Sequence, residues 1–336
     1  MMSDINLRIQ GKAGRITLQR PEALNAMTYE MCLAIEKTLI DWKYDPKVEL
    51  IIIDAQGERA FCSGGDISDL YEAGNKKNYN YGKKFWDDEY RLNALIAKYP
   101  KPYIAFMQGF TMGGGVGISC HGSHRIVCET SKIAMPECSI GLIPDVGGSL
   151  LLSRAPNNLG YFLGLTGTQM NAADAIYTGF ADSYIPKSEW SKVIKQLEQS
   201  GNNSILREHS QNSGKSQLAE NREFFEAIFT SKDLPKIVQF LSKSEDQRAL
   251  EALNKITKNC PIAMTYTIEM LSRLTPKSKI EDALDLEYRF TSRAQEHGSF
   301  QEGIRAAIID KDRKPKWRFE IDEVPKEIIN NFLKPL

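Results

Sequence analysis

Three β-rich apolar runs most constrain what this chain can fold into. Val48 to Asp54, Lys101 to Gln108 and Ser123 to Glu129 are short, and each is followed by a glycine-bearing loop. Runs of this kind read as strands buried on both faces, which need other layers to cover them. A helical pattern leads into the first run. From Thr28, the apolar residues Met31, Ile35, Leu39 and Trp42 fall at helical spacing, with Thr28 as N-cap and Pro46 beyond the end. Ahead of it, Ile5 to Gln10 and Arg15 to Gln19 alternate polar and apolar around Gly11-Lys12-Ala13-Gly14, a β-hairpin pattern. Strands alternating with helices predict an α/β layer fold. After about Pro186 the pattern turns helical, over Glu189 to Gln199, Leu218 to Thr230, Ala249 to Ile256, Ala263 to Leu274 and Ile280 to Arg293. Asn202 to Ser216 reads as a polar surface linker, and no internal repeat is evident.

Composition narrows the function classes. At about 150 residues per domain, 336 residues suggest two units, or one large α/β unit with an appendage. Lys plus Arg (43) balances Asp plus Glu (43), which argues against a nucleic-acid binder. No apolar run approaches the roughly 18 residues of a membrane span, so no membrane partner is expected. The N-terminal residues lack an apolar signal core, and the six cysteines form no CxxC pair. Buried, reduced thiols and a cytoplasmic location are therefore expected.

Three motifs carry chemistry. Phe61-Cys62-Ser63-Gly64-Gly65-Asp66-Ile67 follows the first buried strand. Its paired glycines permit either an ordinary tight loop or a turn that presents free N–H groups to a ligand. Met112-Gly113-Gly114-Gly115-Val116-Gly117-Ile118 follows the second, and lacks the spacing of a dinucleotide fingerprint or a P-loop. Its glycines serve either close helix packing or the exposure of backbone donors. Two such loops, each contributing one amide, are the material of an oxyanion hole. The third motif runs from Met135 to Gly148 and places Glu137 and Asp145 in a mostly uncharged stretch. Desolvation there would raise a carboxyl pKa, as acid/base work at neutral pH requires. The structural alternative for Asp145 is an N-cap on the helix through Leu150 to Leu152. His121 and His124 lack a third ligand pattern, and no serine elbow is present. Asp310 and Asp312 read as solvated.

These motifs, in this order, resemble the crotonase (enoyl-CoA hydratase/isomerase) superfamily over roughly residues 5 to 190. Asn25-Ala26-Met27, Leu165-Thr166-Gly167 and Ala173 to Gly179 add to the match. The resemblance implies an α/β fold, a spiral of ββα units, as a core over residues 1–200, with a helical C-terminal region over residues 201–336. It also implies an acyl-CoA substrate whose thioester oxygen is held by two backbone amides, mapped onto Ser63 or Gly64 and onto Gly114. Gly117 stands where hydratases carry one catalytic glutamate, Glu137 matches the other, and Asp145 replaces a hydratase glycine. Within the superfamily the pattern is similar to the 3-hydroxyisobutyryl-CoA hydrolases of valine breakdown. Thr111 to Gly122, Ala134 to Gly148 and Ser299 to Trp317 carry that closer similarity.

This branch implies thioester hydrolysis with Glu137 and Asp145 as catalytic residues. Glu89, Gly114, Glu137 and Asp145 would contact substrate, with Asp87 and Asp88 as competitors of Glu89. It implies no metal and no cofactor beyond the coenzyme A of the substrate, and it leaves a homo-oligomer open. The competing readings are a hydratase or isomerase on a related acyl-CoA, an inactive acyl-CoA-binding subunit, and, disfavoured by the missing fingerprint, a nicotinamide oxidoreductase.

Overall fold

A computed structural model describes residues 4–336. By contact the chain forms two compact units, each assembled from three segments. The first takes residues 1–66, 88–134 and 169–220; the second takes residues 67–87, 135–168 and 221–336.

The first unit holds the strands. The expected hairpin forms as β1 (Ile5–Gln10) and β2 (Ala13–Leu18), paired antiparallel. The helix Tyr29–Trp42 follows, and the Thr28 side chain accepts from the Met31 amide as its N-cap. The apolar runs become β3 (Leu50–Ala55), β5 (Tyr103–Met107) and β7 (His124–Val127). Short strands β4 (Ala60–Cys62), β6 (Phe110–Met112) and β8 (Lys132–Ala134) follow each of them, and β9 (Ser183–Tyr184) comes last. A six-stranded sheet runs β1-β2-β3-β5-β7-β9, and a three-stranded sheet runs β4-β6-β8. The pairings from β2 onward are parallel, so each long-strand, short-strand pair repeats in register with the last. This is the ββα repeat that the resemblance implies.

One face of the large sheet is closed by the helix Trp190–Ser200. Trp190, Val193 and Leu197 join Leu50, Ile52, Ile104, Phe106 and Ile126 in a buried core, with the Phe106 and Trp190 rings edge to face at 5.1 Å. Full burial of an aliphatic side chain here is worth about 1.5–3 kcal/mol. The stretch read as a linker contains a short helix, Ile205–His209, whose Leu206 enters this core. Two adjacent apolar residues among polar neighbours, Ile205 and Leu206, sufficed, a signal too sparse to read as a period.

The second unit is helical. The expected helix over Leu218 to Thr230 is broken at Asn221 into Gln217–Glu220, which belongs to the first unit, and Arg222–Phe229. A helix not anticipated, Leu234–Ser242, starts with Asp233 accepting from the Lys236 amide and Pro235 in its first turn. The helices Pro261–Arg273 and Ile280–His297 pack through Tyr266 and Phe290, whose ring centroids are 4.9 Å apart. All six cysteines are free and buried, as expected.

Candidate active site

In the first unit the two glycine loops meet. The segment after Asn25 forms a parallel bridge between Met27 and Gly65, with Met27 N donating to Gly64 O at 2.9 Å and Asp66 N to Met27 O at 2.8 Å. Asn25 anchors that segment. It is left-handed (φ 54) and buried, and its side chain donates to Gln56 O and Ala60 O and accepts from the Arg20 amide, each at 2.9 Å. Asparagine tolerates this backbone conformation better than bulkier residues. Arg20 adds a bond to Ala26 O at 2.7 Å and a pair with Asp66 at 3.2 Å.

This network takes one amide of the loop out of reach of a ligand. Ser63, expected as a donor, already gives its N–H to Leu24 O at 3.1 Å. Gly64 sits at φ 118 and offers its carbonyl to Met27. The Gly65 nitrogen comes close to Gly114: it lies 3.3 Å from where a Cβ on Gly114 would stand. Gly114 in turn opens the short helix Gly114–Gly117, and the carbonyl of Gly113 accepts from Val116 and Gly117. A first-turn amide such as that of Gly114 has no acceptor within its own helix. Gly65 and Gly114 thus present two backbone donors side by side. Sequence reasoning passed over Gly65 because consecutive glycines look alike until the flanking hydrogen bonds are known.

Glu89 joins them. It is buried, and its Oε1 lies 3.0 Å from the same imagined Cβ on Gly114. The helix Tyr79–Ala97 that carries it is pinned to the helix Tyr29–Trp42: Arg91 pairs with Glu36 at 2.5 Å, and Asp88 accepts from Arg91 and from the Tyr29 hydroxyl. Of the competing acids, Asp88 is therefore an ion-pair partner and Asp87 is exposed.

In the second unit Glu137 and Asp145 are both buried, at 5% and 4% exposure. Glu137 opens the 3-10 helix Glu137–Ile140, which ends at the left-handed Gly141. The C-terminal motif holds this helix. Cys260 N donates to Cys138 O at 2.8 Å, and Gly303 and Gly141 are close-approach glycines against Ile140 O and Ser299 O. A Cβ on Gly303 would lie 1.9 Å from Ile140 O, so the motif reads as a clamp on the segment bearing Glu137. Met135 lies against Gly148, which ties that segment to the turn bearing Asp145. Asp310 and Asp312, read as solvated, both accept from Arg305, at 2.5 and 2.8 Å.

Asp145 does not supply the N-terminal hydrogen bonds of the next helix, Gly148–Arg154, through its side chain. Glu287 takes them: it accepts from Gly147 N at 2.8 Å, Ser149 N at 3.1 Å and the Ser149 hydroxyl. Glu287 is wholly buried, and burial, with a further push from the charge of Asp145, raises its pKa to about 8. Its sequence signal is its place in an apolar stripe, Ile280, Ala283, Leu284, Phe290 and Ala294, where an acid at residue 287 is out of pattern. The predicted residues therefore fall into two sets, Ser63, Gly64, Gly114 and Glu89 in one unit, where Gly65 joins them, and Glu137 and Asp145 in the other.

Backbone amides of two glycine loops lying close together, with buried carboxyls elsewhere in the same chain, are the equipment of an acyl-thioester enzyme. The family model for enoyl-CoA hydratase/isomerase matches residues 13–333, and the chain belongs to this family. A curated relative, "3-hydroxyisobutyryl-CoA hydrolase, mitochondrial" of Gallus gallus, is 36% identical over 99% of this chain and 89% of its own length. A crystal structure described as an enoyl-CoA hydratase from Rhodobacter sphaeroides 2.4.1 is 47% identical, with TM-score 0.95 over 99% of this chain and 98% of that one. A carnitinyl-CoA dehydratase from Mycobacterium thermoresistibile is 37% identical, with TM-score 0.95 over 100% and 97%. No helix among the described residues is long and apolar enough to cross a membrane.

Proposed function

We propose that the chain hydrolyses a short-chain 3-hydroxyacyl-CoA thioester, 3-hydroxyisobutyryl-CoA in particular, to the free hydroxy acid and coenzyme A. The observation that carries this reading is the exchange of acids. Gly117 replaces the glutamate a two-glutamate hydratase needs, while Asp145, buried at a hydratase glycine position, accompanies Glu137. The named function of the curated relatives supports it.

In this mechanism the Gly65 and Gly114 amides polarise the thioester carbonyl and hold the oxyanion that forms as the carbon becomes tetrahedral. One such donor is commonly worth about 2.7–4 kcal/mol of barrier. Glu137 acts on the carbonyl carbon by one of two routes. As nucleophile it forms a mixed anhydride, the C–S bond breaks, and water then hydrolyses the anhydride. As base it takes a proton from water, which attacks directly. In both, coenzyme A leaves as thiolate and takes up a proton. Asp145 positions water and substrate, and Glu89 accepts from the hydroxyl of the acyl group. Single turnover in ¹⁸O water separates the routes, since only the anhydride route can leave label in the Glu137 carboxyl. No cofactor is needed beyond the coenzyme A of the substrate.

The test is thiol release over a panel of short acyl-CoA esters, with and without a 3-hydroxyl. Rapid release from 3-hydroxyisobutyryl-CoA is the expected result. The second reading, hydration, is favoured by the description of the 47% identical structure. Loss of the enoyl absorbance of crotonyl-CoA without thiol release would establish it instead. Cytoplasmic residence belongs to the same proposal, and because relatives are named mitochondrial, cell fractionation is its test.

A further inference from the structure

The turn that follows Asp145 is held in a strained backbone conformation. Gly148 N donates to Asp145 O at 2.6 Å, closing a four-residue turn with Val146 and Gly147 at its centre. Both central residues have positive φ, 53° at Val146 and 77° at Gly147, the pattern of a type I′ turn. Glycine adopts it freely. Val146 is β-branched and buried, and for such a residue the left-handed region is an outlier. Strain of this kind persists only where the surroundings over-determine it.

Glu287 supplies that determination. Its two carboxyl oxygens take both flanking amides, those of Gly147 and Ser149, together with the Ser149 hydroxyl. All three donors lie within four residues of Asp145. Stability alone does not explain an acid here. An apolar residue would continue the stripe of the helix Ile280–His297, whereas a wholly buried carboxyl must first be desolvated. What the acid does, and an apolar residue could not, is hold two consecutive left-handed residues against their relaxed conformations.

We infer that Glu287 is a positioning residue, which locks the strained turn from Asp145 to Ser149 and so fixes the Asp145 carboxyl where the reaction uses it. The inference rests on the reading of Asp145 as a member of the reacting site. It is tested by kcat and KM for thiol release from 3-hydroxyisobutyryl-CoA in Glu287→Gln, Asp145→Asn and the double variant. An amide nitrogen cannot accept, so glutamine leaves a donor of the turn unheld, whereas a carboxyl oxygen accepts in either protonation state. Glu287→Gln should lose about thirtyfold or more in kcat, with KM within about threefold, the signature of a displaced group. The double variant should be no slower than Asp145→Asn alone. Adding Val146→Gly, which relaxes the left-handed position, should recover several-fold of the Glu287→Gln loss, and Val146→Ala, which loses the β-branch but keeps a Cβ there, should recover less.

Losses that multiply in the double variant, or wild-type kcat in Glu287→Gln beside an impaired Asp145→Asn, overturn the inference alone. Normal turnover by Asp145→Asn overturns it together with the reading of Asp145. Should Glu287→Gln not fold, Ser149→Ala carries the same test. It should lose about threefold or more in kcat at unchanged KM, and lose nothing further in the Asp145→Asn background. Wild-type kcat in Ser149→Ala, or a loss that persists in that background, would overturn the inference.

Discussion

The two units assemble their candidate groups from different materials, with Glu89 the one carboxyl candidate in the first. In the first, the donors are backbone amides, and what matters is the absence of side chains at Gly65 and Gly114. In the second, the groups are carboxyls, and what matters is how burial and neighbouring donors set their position and charge. A backbone site is indifferent to pH and sensitive to a single methyl. A carboxyl site tolerates nearby bulk poorly too, but it is tuned chiefly by protonation and hydrogen bonding. The difference lets the two be broken separately.

Glu137→Gln should have the largest effect. The amide is isosteric but neither nucleophilic nor basic, so thiol release should fall by about a thousandfold or more while acyl-CoA binding, measured calorimetrically, persists. Near-normal release would remove Glu137 from the mechanism and leave the backbone donors without a partner acid.

Next in size is a methyl at Gly114. A Cβ there would stand 3.0 Å from Glu89 Oε1 and 3.3 Å from Gly65 N, a side-chain end and the amide it sits beside. Gly114→Ala should fold, and lose about a hundredfold in kcat by filling the space where a substrate oxygen would sit. Gly115→Ala is the control, since its Cβ would stand 2.4 Å from Cys62 O and must push backbone. It should lower the melting temperature, which Gly114→Ala should leave nearly unchanged. The reverse pattern would show that Gly114 is a packing glycine.

Specificity comes third. A site built to bond a hydroxyl leaves its own polar groups unpaired when the hydroxyl is missing, at about 1–3 kcal/mol each. The chain should therefore prefer 3-hydroxyisobutyryl-CoA to isobutyryl-CoA by about tenfold or more in kcat/KM. Asp145→Ala should shrink that preference as well as slow turnover, and Glu89→Ala should act mainly through KM. Equal rates for the two esters would leave the thioesterase reading standing without its hydroxylated substrate.

The smallest effect concerns stability against pH and belongs to the second unit alone. The pKa of Glu287 is raised by burial from 4.5 to about 8, so between these values the folded chain holds a proton that the unfolded chain has lost. Stability therefore falls as pH rises through this window, by on the order of a few kcal/mol for this group, and levels off above it. Thermal melts from pH 5 to pH 9 should show the decline, and Glu287→Gln should flatten it. A slope that survives the substitution would place its source elsewhere.

What could be read from the sequence was local. The hairpin around Gly11, the Thr28-capped helix and the three buried strands follow from periodicity and caps within a few residues, and each forms where its pattern places it. The glycine loops and the stretch from Met135 to Gly148 were equally visible, because only a few residue types permit such turns. Where contacts were distant or the apolar signal thin, the pattern was silent. Ile205 and Leu206 are one apolar pair in a polar stretch, too short to show a period, and the core they pack against is distant in sequence. Ser63, Gly64 and Gly65 are equivalent as letters. The Leu24 carbonyl, on a segment distant in sequence, takes the Ser63 amide, and the Met27 bridge fixes the course of the two glycines that follow. Asp145 had the N-cap of the helix after it as its structural alternative, but the acid that holds those amides is Glu287, 140 residues further along the chain from Gly147. Local propensity is a property of neighbours in sequence, whereas the pairing of a buried donor with its acceptor is decided only when the tertiary fold brings them within hydrogen-bonding distance and removes the water that would otherwise compete.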